Sequence, residues 1–448
     1  MTTSYDRHAP GAAGRFRRYF KNSAWIMADS LVSNGFSLFV LALVARTLGP
    51  EEYGAYAYVF SLALLFSVVG QMGLDGLMTR ELIAKPDLEA QTLGTVGGMR
   101  FAGYLFGAIS CLIYGFWMPG HSSVEKKLFV AAFFFILLTP GPLIIENWFR
   151  SRLEARFASM ARIAGTILGG MMKIGVISLG FGVVWVGVAQ ALSVLVIAAV
   201  SVSLYLWRGG LSLCKWELSL HRAKELFSES WMIFLGSIMA MVYLKIDLVM
   251  LRWWTGVETV AIYAIAARIS EVFYFVPAAL VATFFPRLIQ LREISREAFE
   301  GRLQIFLALL TGIAYAIMIG IALFSPVLVV MLFGEAYASA VPVLLIHMFA
   351  MPFVFMRYAF SRWILIEKLA MFSLLTQGTG AAANVLLNVL LIPPLGMSGA
   401  ALATVISYAA ASYLALLLSR RTRPVFAMMT RALAAPWIGI RAAWAMRD

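Results

Sequence analysis

The chain has 448 residues, of which 61% are hydrophobic and only 13% are charged. Soluble domains carry about 25% charged residues, so this composition excludes an ordinary soluble domain and predicts an all-α polytopic membrane protein. The formal net charge of +13 does not indicate a nucleic-acid partner, because the basic residues are scattered between apolar runs and do not gather on one polar face.

Twelve apolar runs are long enough to cross a hydrocarbon core about 30 Å thick, which needs about 20 helical residues. The basic segment 1–21 precedes the first run, which is too long to be the core of a signal peptide. Pro326 and Gly334 bracket residues 326–337, which we interpret as a short outer-surface segment. The predicted spans are 22–46, 55–79, 101–118, 127–149, 160–181, 183–207, 231–254, 258–285, 303–325, 338–358, 370–392 and 398–418.

The orientation follows from the lysines and arginines, which gather in the N-terminal segment, in alternate connections and in the tail. The remaining connections contain only Arg46, Lys126, Lys127 and Arg252. Because cytoplasmic loops of membrane proteins carry the excess of basic residues, we expect both termini to lie in the cytoplasm. The expected location is the cytoplasmic (inner) membrane of the cell.

The two halves of the chain resemble each other. "LGPEEYGAYA" (48–57) and "TGVETVAIYA" (255–264) align at a constant offset of 207 residues, which matches Gly49 with Gly256 and Tyr56 with Tyr263. Two sets of six spans in the same orientation predict two pseudo-symmetric six-helix lobes around a central cavity. The predicted divisions are a cytoplasmic N-terminus (1–21), an N-lobe (22–207), a cytoplasmic linker (208–230), a C-lobe (231–418) and a cytoplasmic or interfacial amphipathic tail (419–448).

Three basic residues, Lys173, Lys245 and Arg268, lie within predicted spans. At 1.5 Å per residue they are ~12–15 Å below the outer surface, where a charge costs at least ~2.5–3.5 kcal/mol. Asp247 and Glu271 lie at the same depth, so positive charge is in excess and a water-filled cavity between the lobes would accommodate it. The alternative is that these charges only pair with one another, which the three-residue spacing of Arg268 and Glu271 allows.

Further polar residues are candidates for the lining of the same cavity. Asp29, Asn34, Gln71 and Asp75 lie in the first two spans, and His347 lies in the tenth. Solvated helix ends explain Asp29 and Asp75 equally well. A lone histidine among aromatic neighbours is more often a hydrogen-bonded packing residue.

No enzyme motif is present. The four histidines and two cysteines have no metal-ligand or redox spacing, and the glycine-rich "GFGVVWVG" (180–187) lacks the following Lys-Ser/Thr of a nucleotide loop. We therefore expect no catalytic residues, no metal site and no cofactor beyond a coupling proton or sodium ion. Secondary transport is the main functional class that remains.

Two long segments carry a family resemblance. "FVLALVARTLGPEEYGAYAYVFSLALLFSVVGQMGLDGLMTREL" (39–82) resembles the first two spans of Wzx-type oligosaccharide flippases, in the polysaccharide transporter branch of the multidrug/oligosaccharidyl-lipid/polysaccharide exporter superfamily. "KIDLVMLRWWTGVETVAIYAIAARISEVFYFVPAALVATFFPRL" (245–288) resembles their spans seven and eight. The resemblance covers nearly the whole chain. It implies a V-shaped, two-lobed flippase that moves undecaprenyl-pyrophosphate-linked sugar units to the outer leaflet by alternating access, for surface polysaccharide or exopolysaccharide synthesis.

The resemblance also implies a basic cavity that binds the pyrophosphate. This role carries over onto Lys245 and Arg268, with Lys173 as a third candidate, while Asp247 and Glu271 would position the bases or couple ion binding to closure. The implied partners are the lipid-linked oligosaccharide, membrane lipids, a polysaccharide polymerase and glycosyltransferases. Two alternatives stay open: a multidrug-type small-molecule exporter, which the three bases disfavour, and a non-transporting membrane component of polysaccharide assembly.

Overall fold

A computed structural model of the chain describes residues 12–367 and 369–445, and the side chains among them except those at 12–24, 26–28, 286, 287, 293, 365, 370 and 436–445. The described part is helical throughout, with short connections and no strand, which confirms the predicted all-α fold. The first eleven residues of the predicted cytoplasmic N-terminus lie outside it. The helices are α1 (Ala12–Gln71), α2 (Asp75–Ala84), α3 (Glu89–Trp117), α4 (Ser123–Leu138), α5 (Pro140–Ser151), α6 (Ala155–Ser178), α7 (Val183–Trp207), α8 (Leu220–Thr255), α9 (Val257–Glu271), α10 (Phe275–Ile294), α11 (Arg296–Phe333), α12 (Ala340–Met348), α13 (Met351–Ile366), α14 (Ala370–Ser412) and α15 (Arg423–Ala445).

The helices agree with about twelve membrane crossings. Among the described residues nine helical segments are long and apolar enough to span a bilayer, and the pair α12–α13, bent by 42°, makes a tenth. Two of the nine, with 56 and 48 residues, are far longer than the roughly 20 residues that one crossing needs. Each contains a non-helical glycine, Gly49 in α1 and Gly396 in α14, so each is two spans joined by a tight break.

The break after the first span recurs after the seventh. Gly49 has φ 75° and ψ 173°, and Gly256, its partner at the offset of 207, has φ 92° and ψ 176°. Glycine is the residue that adopts positive φ without steric cost. The two matched sequences therefore fold into the same turn, as the predicted repeat requires.

Two connections differ from the prediction. Helix α11 continues through Pro326 to Phe333, and only Glu335–Tyr337 forms a separate short turn, so most of 326–337 belongs to a 38-residue helix. Proline is tolerated within membrane helices because neighbouring groups satisfy the freed backbone acceptors. The linker 208–230 is likewise half helical, because α8 begins at Leu220, where the Ser219 side chain accepts a hydrogen bond from the Arg222 amide.

The tail also packs more tightly than an interfacial segment would. Met429 and Ala432 of α15 are fully buried. Gln304 and Tyr315 of α11 donate hydrogen bonds to the backbone carbonyls of Met428 and Leu433, at 3.1 and 3.2 Å. The first three turns of α15 are therefore part of the C-lobe. Residues 446–448, and the side chains from 436 onward, lie outside the described part, so an interfacial role for the end of the tail stays a prediction.

We name the two ends of the bundle after the predicted orientation. At the outer end the lobes touch directly: Tyr337 Oη donates a hydrogen bond to the Ala45 carbonyl at 2.9 Å, and Arg252 binds Glu125 at 2.8 Å. The α1 backbone approaches α9 so closely that a Cβ on Gly54 would lie 1.9 Å from the Val257 carbonyl oxygen. These contacts hold the lobes together above the middle of the molecule.

At the inner end, ion pairs join the beginning of α8 to α2. Arg222 pairs with Glu81, and Arg80 pairs with Glu229 at 2.6 Å. The N-lobe, α1–α7, and the C-lobe, α8–α14 with the first three turns of α15, thus meet at both ends along α8.

Candidate functional site

A cavity of about 480 Å³ lies at the junction of the lobes, between α1, α4, α6 and α7 of the N-lobe and one residue of α9. Val44 lines it, and the next residue, Ala45, makes the outer-end hydrogen bond with Tyr337. The outer-end contacts therefore lie directly above the cavity. Its polar lining residues include Ser37, Tyr56, Lys173, Gln190, Ser193 and Arg268.

The N-lobe side of this cavity has a hydrogen-bonded group centred on Gln190. Lys173 Nζ and the Tyr56 hydroxyl both donate hydrogen bonds to Gln190 Oε1, the second at 3.2 Å. Lys173 is thus fixed in the cavity wall by α7, and it does not extend along α6 towards a membrane surface.

The C-lobe side contributes a base held by a carboxylate. Arg268 lines the cavity with a side chain that is 37% exposed, and its guanidinium lies 4.0 Å from Glu271 Oε2. Lys245 Nζ on α8 donates a hydrogen bond to the other oxygen, Glu271 Oε1, at 2.9 Å. Glu271 therefore contacts both bases, and Lys245, for which the sequence indicated no partner, is paired across two helices.

Asp247 lies elsewhere in the C-lobe and is only 3% exposed. Its carboxylate accepts hydrogen bonds from the Tyr263 hydroxyl, from Thr404 Oγ1 at 3.3 Å and from the Leu248 amide at 2.8 Å. None of these donors is a base. The side chain of Asp247 points to a different face of α8 from that of Lys245. Of the two acidic residues predicted to position the bases or to couple ion binding, Glu271 is the one that contacts Lys245 and Arg268.

Two of the other predicted lining residues form structural ion pairs in the N-lobe. Asp29 accepts from Arg162 at 2.7 Å and from Ser33 at 3.0 Å. Asp75 accepts from Arg100, which is fully buried, at 2.5 Å and from Asn147 at 2.9 Å. These carboxylates join helices to one another, and neither lines the cavity.

The remaining three predicted lining residues are not part of the cavity wall either. Asn34 and Gln71 are half-buried on α1. His347 is 4% exposed and its Nδ1 lies 2.8 Å from Ser270 Oγ, with its ring against Tyr263. This is the hydrogen-bonded packing role that a lone histidine usually has.

Sequence reasoning missed Gln190, Tyr56 and Thr404 as site residues. Gln190 is the only amide side chain in the long apolar run of α7, which is a signal that was available. Tyr56 and Tyr263 were recognised only as matched positions of the repeat, and in the structure each holds a polar group within its own lobe. Thr404 gave no signal, since a threonine in a membrane helix commonly bonds its own backbone, as Thr404 also does.

A bundle of two helical lobes with a charged cavity at their junction is the architecture of a polytopic membrane transporter. A family model described as "Polysaccharide biosynthesis protein" matches residues 19–292, and the chain belongs to this family. The resemblance to the polysaccharide-exporting branch is thereby confirmed. Family and fold together place the chain among the multi-pass membrane proteins of polysaccharide biosynthesis.

Two relatives have names that agree with this family. The chain is 23% identical over 328 residues to the succinoglycan biosynthesis transport protein ExoT of Rhizobium meliloti (strain 1021), and the match covers 72% of this chain and 64% of that protein, less than two thirds of its length. It is 24% identical over 334 residues to an O-antigen transporter of Shigella flexneri, with 71% of this chain and 77% of that protein covered.

Solved structures share the fold. The lipid II flippase MurJ in an inward closed conformation superposes with a TM-score of 0.64 at 15% identity, covering 92% of this chain and 91% of that one. The MATE multidrug transporter DinF-BH gives a TM-score of 0.66 at 16% identity, covering 95% of this chain and 99% of that one. At these identities the likeness establishes the two-lobed fold alone.

Proposed function

We propose that this protein is a flippase that moves an undecaprenyl-pyrophosphate-linked oligosaccharide from the cytoplasmic to the outer leaflet of the inner membrane, for surface polysaccharide synthesis. The observation that carries the proposal is that Lys173 of the N-lobe and Arg268 of the C-lobe line the same cavity. Phosphate oxygens are the natural ligands of such a pair, since the arginine fork binds them in a bidentate manner and lysine adds a point charge.

The placement of the two bases supports a mechanism of alternating access. Like charges on opposite lobes repel one another at close range, and a bound pyrophosphate between them converts this repulsion into two attractions. Substrate would therefore favour the arrangement in which the lobes close around it. Release would follow when the lobes separate at the outer side of the membrane, because Lys173 and Arg268 would then move apart.

Lys245 has a supporting role in this proposal. Its ion pair with Glu271 joins α8 to α9 and keeps the carboxylate beside Arg268. Since Glu271 is shared between two bases, Arg268 retains part of its positive charge for a ligand. Lys245 thus positions the site, whereas Arg268 and Lys173 contact the phosphates.

We assign the coupling ion to Asp247. A carboxylate buried to this degree is costly unless it binds a proton or a cation, and its partners here are hydroxyls and one amide. Binding and release of a proton or sodium ion at Asp247 would change the charge inside the C-lobe. That change is a means by which an ion gradient could bias the position of the lobe.

A multidrug-type exporter is the second candidate. The observation in its favour is the apolar part of the cavity wall, which includes Phe60 and Phe135 and could hold an aromatic compound. The two bases argue against the cationic compounds that aromatic walls bind best. We also expect glycosyltransferases and a polymerase as partners of the flippase, which a drug exporter would not need.

The test is complementation in a native host that lacks the gene. Lys173→Gln and Arg268→Gln should each lower surface polysaccharide roughly tenfold or more, since hydrogen bonds to charged groups contribute about 1.5–3 kcal/mol, and lipid-linked oligosaccharide should accumulate in the membrane. Lys127→Gln, an exposed outer-end lysine, is the matched control, and protein levels are measured for each variant. Full export by both variants would contradict the cavity assignment. Normal polysaccharide with altered drug susceptibility would favour the second candidate.

A further inference from the structure

A second cavity, of about 310 Å³, lies at the inner end of the C-lobe, away from the junction of the lobes. It is formed where three chain segments turn: the joint between α10 and α11, the end of α13, and the joint between α14 and α15. Its volume is at the lower end of the roughly 300–1,000 Å³ range of ligand pockets. The transport site described above does not use it.

The rim of this cavity has an excess of positive charge. Four arginines line it, Arg292, Arg296, Arg420 and Arg421, against two glutamates, Glu300 and Glu367. Arg292 pairs with Glu367, and Arg296 pairs with Glu300 at 2.8 Å. Arg420 and Arg421 are exposed and bring the two charges that the glutamates do not balance.

One donor of this group lacks an acceptor among the described side chains. Arg292 Nε is buried and has no hydrogen-bond partner within the described part of the chain, although the same guanidinium binds Glu367 through a terminal nitrogen and lies 5.6 Å from the Phe299 ring. A buried, unsatisfied donor on a charged group is costly. An anionic oxygen in the cavity would satisfy it.

The floor of the cavity is apolar, in contrast to its rim. Phe299, Leu303, Trp363 and Val425 line it and are between 1% and 7% exposed. Arg420 and Arg421 follow one residue after Leu418, where the last membrane-spanning segment ends. A basic rim over an apolar floor at the membrane surface suits a ligand that carries a phosphate next to a hydrocarbon part.

We propose that this cavity binds the phosphate headgroup of an anionic glycerophospholipid of the inner leaflet. The phosphate lies between Arg292 and the Arg420–Arg421 pair, and the start of an acyl chain packs on Trp363 and Val425. Because Val425 belongs to α15, the bound lipid ties the tail helix to α11 and α13. The proposal does not depend on the identity of the transported substrate.

The experiment is lipid binding to the purified full chain by native mass spectrometry, with phosphatidylglycerol, phosphatidylethanolamine and glycerol 3-phosphate as separate probes. The wild-type protein should retain phosphatidylglycerol at least tenfold more strongly than phosphatidylethanolamine. Arg420→Gln/Arg421→Gln should remove most of that preference. The matched control is Arg156→Gln/Lys224→Gln, which removes two exposed charges from the inner end outside this cavity and should retain the preference.

A second measurement does not require a variant. Phosphatidylglycerol should raise the melting temperature of the wild-type protein, and phosphatidylethanolamine at the same concentration should not. Equal retention of the two lipids by the wild-type protein, or an undiminished preference in Arg420→Gln/Arg421→Gln, would overturn the proposal. Tighter binding of glycerol 3-phosphate than of the lipid would also overturn it, in favour of a soluble phosphate ligand.

Discussion

Lys245 and Glu271 form an ion pair between α8 and α9, with Lys245 Nζ 2.9 Å from Glu271 Oε1. The two side chains are 18% and 19% exposed. Arg268 shares the same carboxylate from 4.0 Å and lines the cavity between the lobes. One acidic side chain thus holds two bases, one of them structural and the other facing the cavity.

The first prediction concerns this pair. Lys245→Met should lower stability by about 1–3 kcal/mol, less than the 3–5 kcal/mol of a fully buried pair, because solvent reaches both groups. Lys245→Met/Glu271→Leu should recover much of that loss, because the single variant leaves the Glu271 carboxylate with only the more distant Arg268, 4.0 Å away, and the double variant removes that carboxylate while Arg268, 37% exposed, keeps its contact with solvent. Melting temperatures in one detergent check both values, and a double variant no more stable than the single one would contradict the pairing.

The second prediction concerns Asp247. Asp247→Asn keeps one oxygen that accepts from the Leu248 amide, and its NH2 group, in place of the second carboxylate oxygen, can donate to the Tyr263 or Thr404 hydroxyl oxygen. The variant should therefore fold with nearly the wild-type melting temperature. It should lose the dependence of export on an imposed proton or sodium gradient, because the neutral amide does not take up a cation. Export by membrane vesicles under each gradient is the measurement, with the exposed Glu258→Gln as the control. If Asp247→Asn exports at the wild-type rate under a gradient, the coupling ion does not bind at Asp247.

The third prediction concerns the outer-end contacts. Arg252 reaches from the C-lobe to Glu125 and to the Gly120 carbonyl, at 2.8 and 3.1 Å. Arg252→Gln removes the charge and should allow the outer end to open more often. A cysteine at Ser37, in a Cys214→Ser background, should then react several-fold faster with a membrane-impermeant maleimide added from outside. Lys127→Gln is the reference variant. If Arg252→Gln reacts with the maleimide no faster than this reference, contacts other than that of Arg252 keep the outer end closed.

The fourth prediction concerns the tail helix. Met429 is fully buried between α15 and the rest of the C-lobe, so Met429→Ala should cost about 2–5 kcal/mol. Met371, which is 51% exposed, supplies the control, and Met371→Ala should change the melting temperature little. Equal effects of the two substitutions would indicate that α15 is not packed as described.

Much of the architecture could be predicted from the sequence, because spans, orientation signals and the Gly49–Gly256 repeat are local patterns. The limits of α8 and α11 could not. The polar residues 220–230 are typical of a linker, but α8 begins at Leu220 and includes them. The ion pair between Arg222 and Glu81 of α2 stabilises this part of the helix. Pro326 predicts the end of a helix, but proline is tolerated within membrane helices, and α11 continues through it.

The site was predicted in part. The positions of Lys245, Arg268 and Glu271 within their predicted spans placed all three at the same depth in the membrane. The periodicity of a helix, however, reveals only partners that are three or four residues apart. Lys245 and Glu271 are 26 residues apart and lie on two different helices. The same limit applies to Asp29 and Arg162, which are joined between α1 and α6. Only the packing of the helices decides which polar side chains line a cavity and which hold helices together.

The central claim is that Lys173 and Arg268 together bind the phosphate part of a lipid carrier. The most direct measurement is the dissociation constant of undecaprenyl pyrophosphate for the purified protein, compared with that of Lys173→Gln/Arg268→Gln. The account predicts an affinity roughly 100-fold weaker for the double variant, about tenfold for each charged hydrogen bond lost. Equal affinity of the two proteins would contradict it.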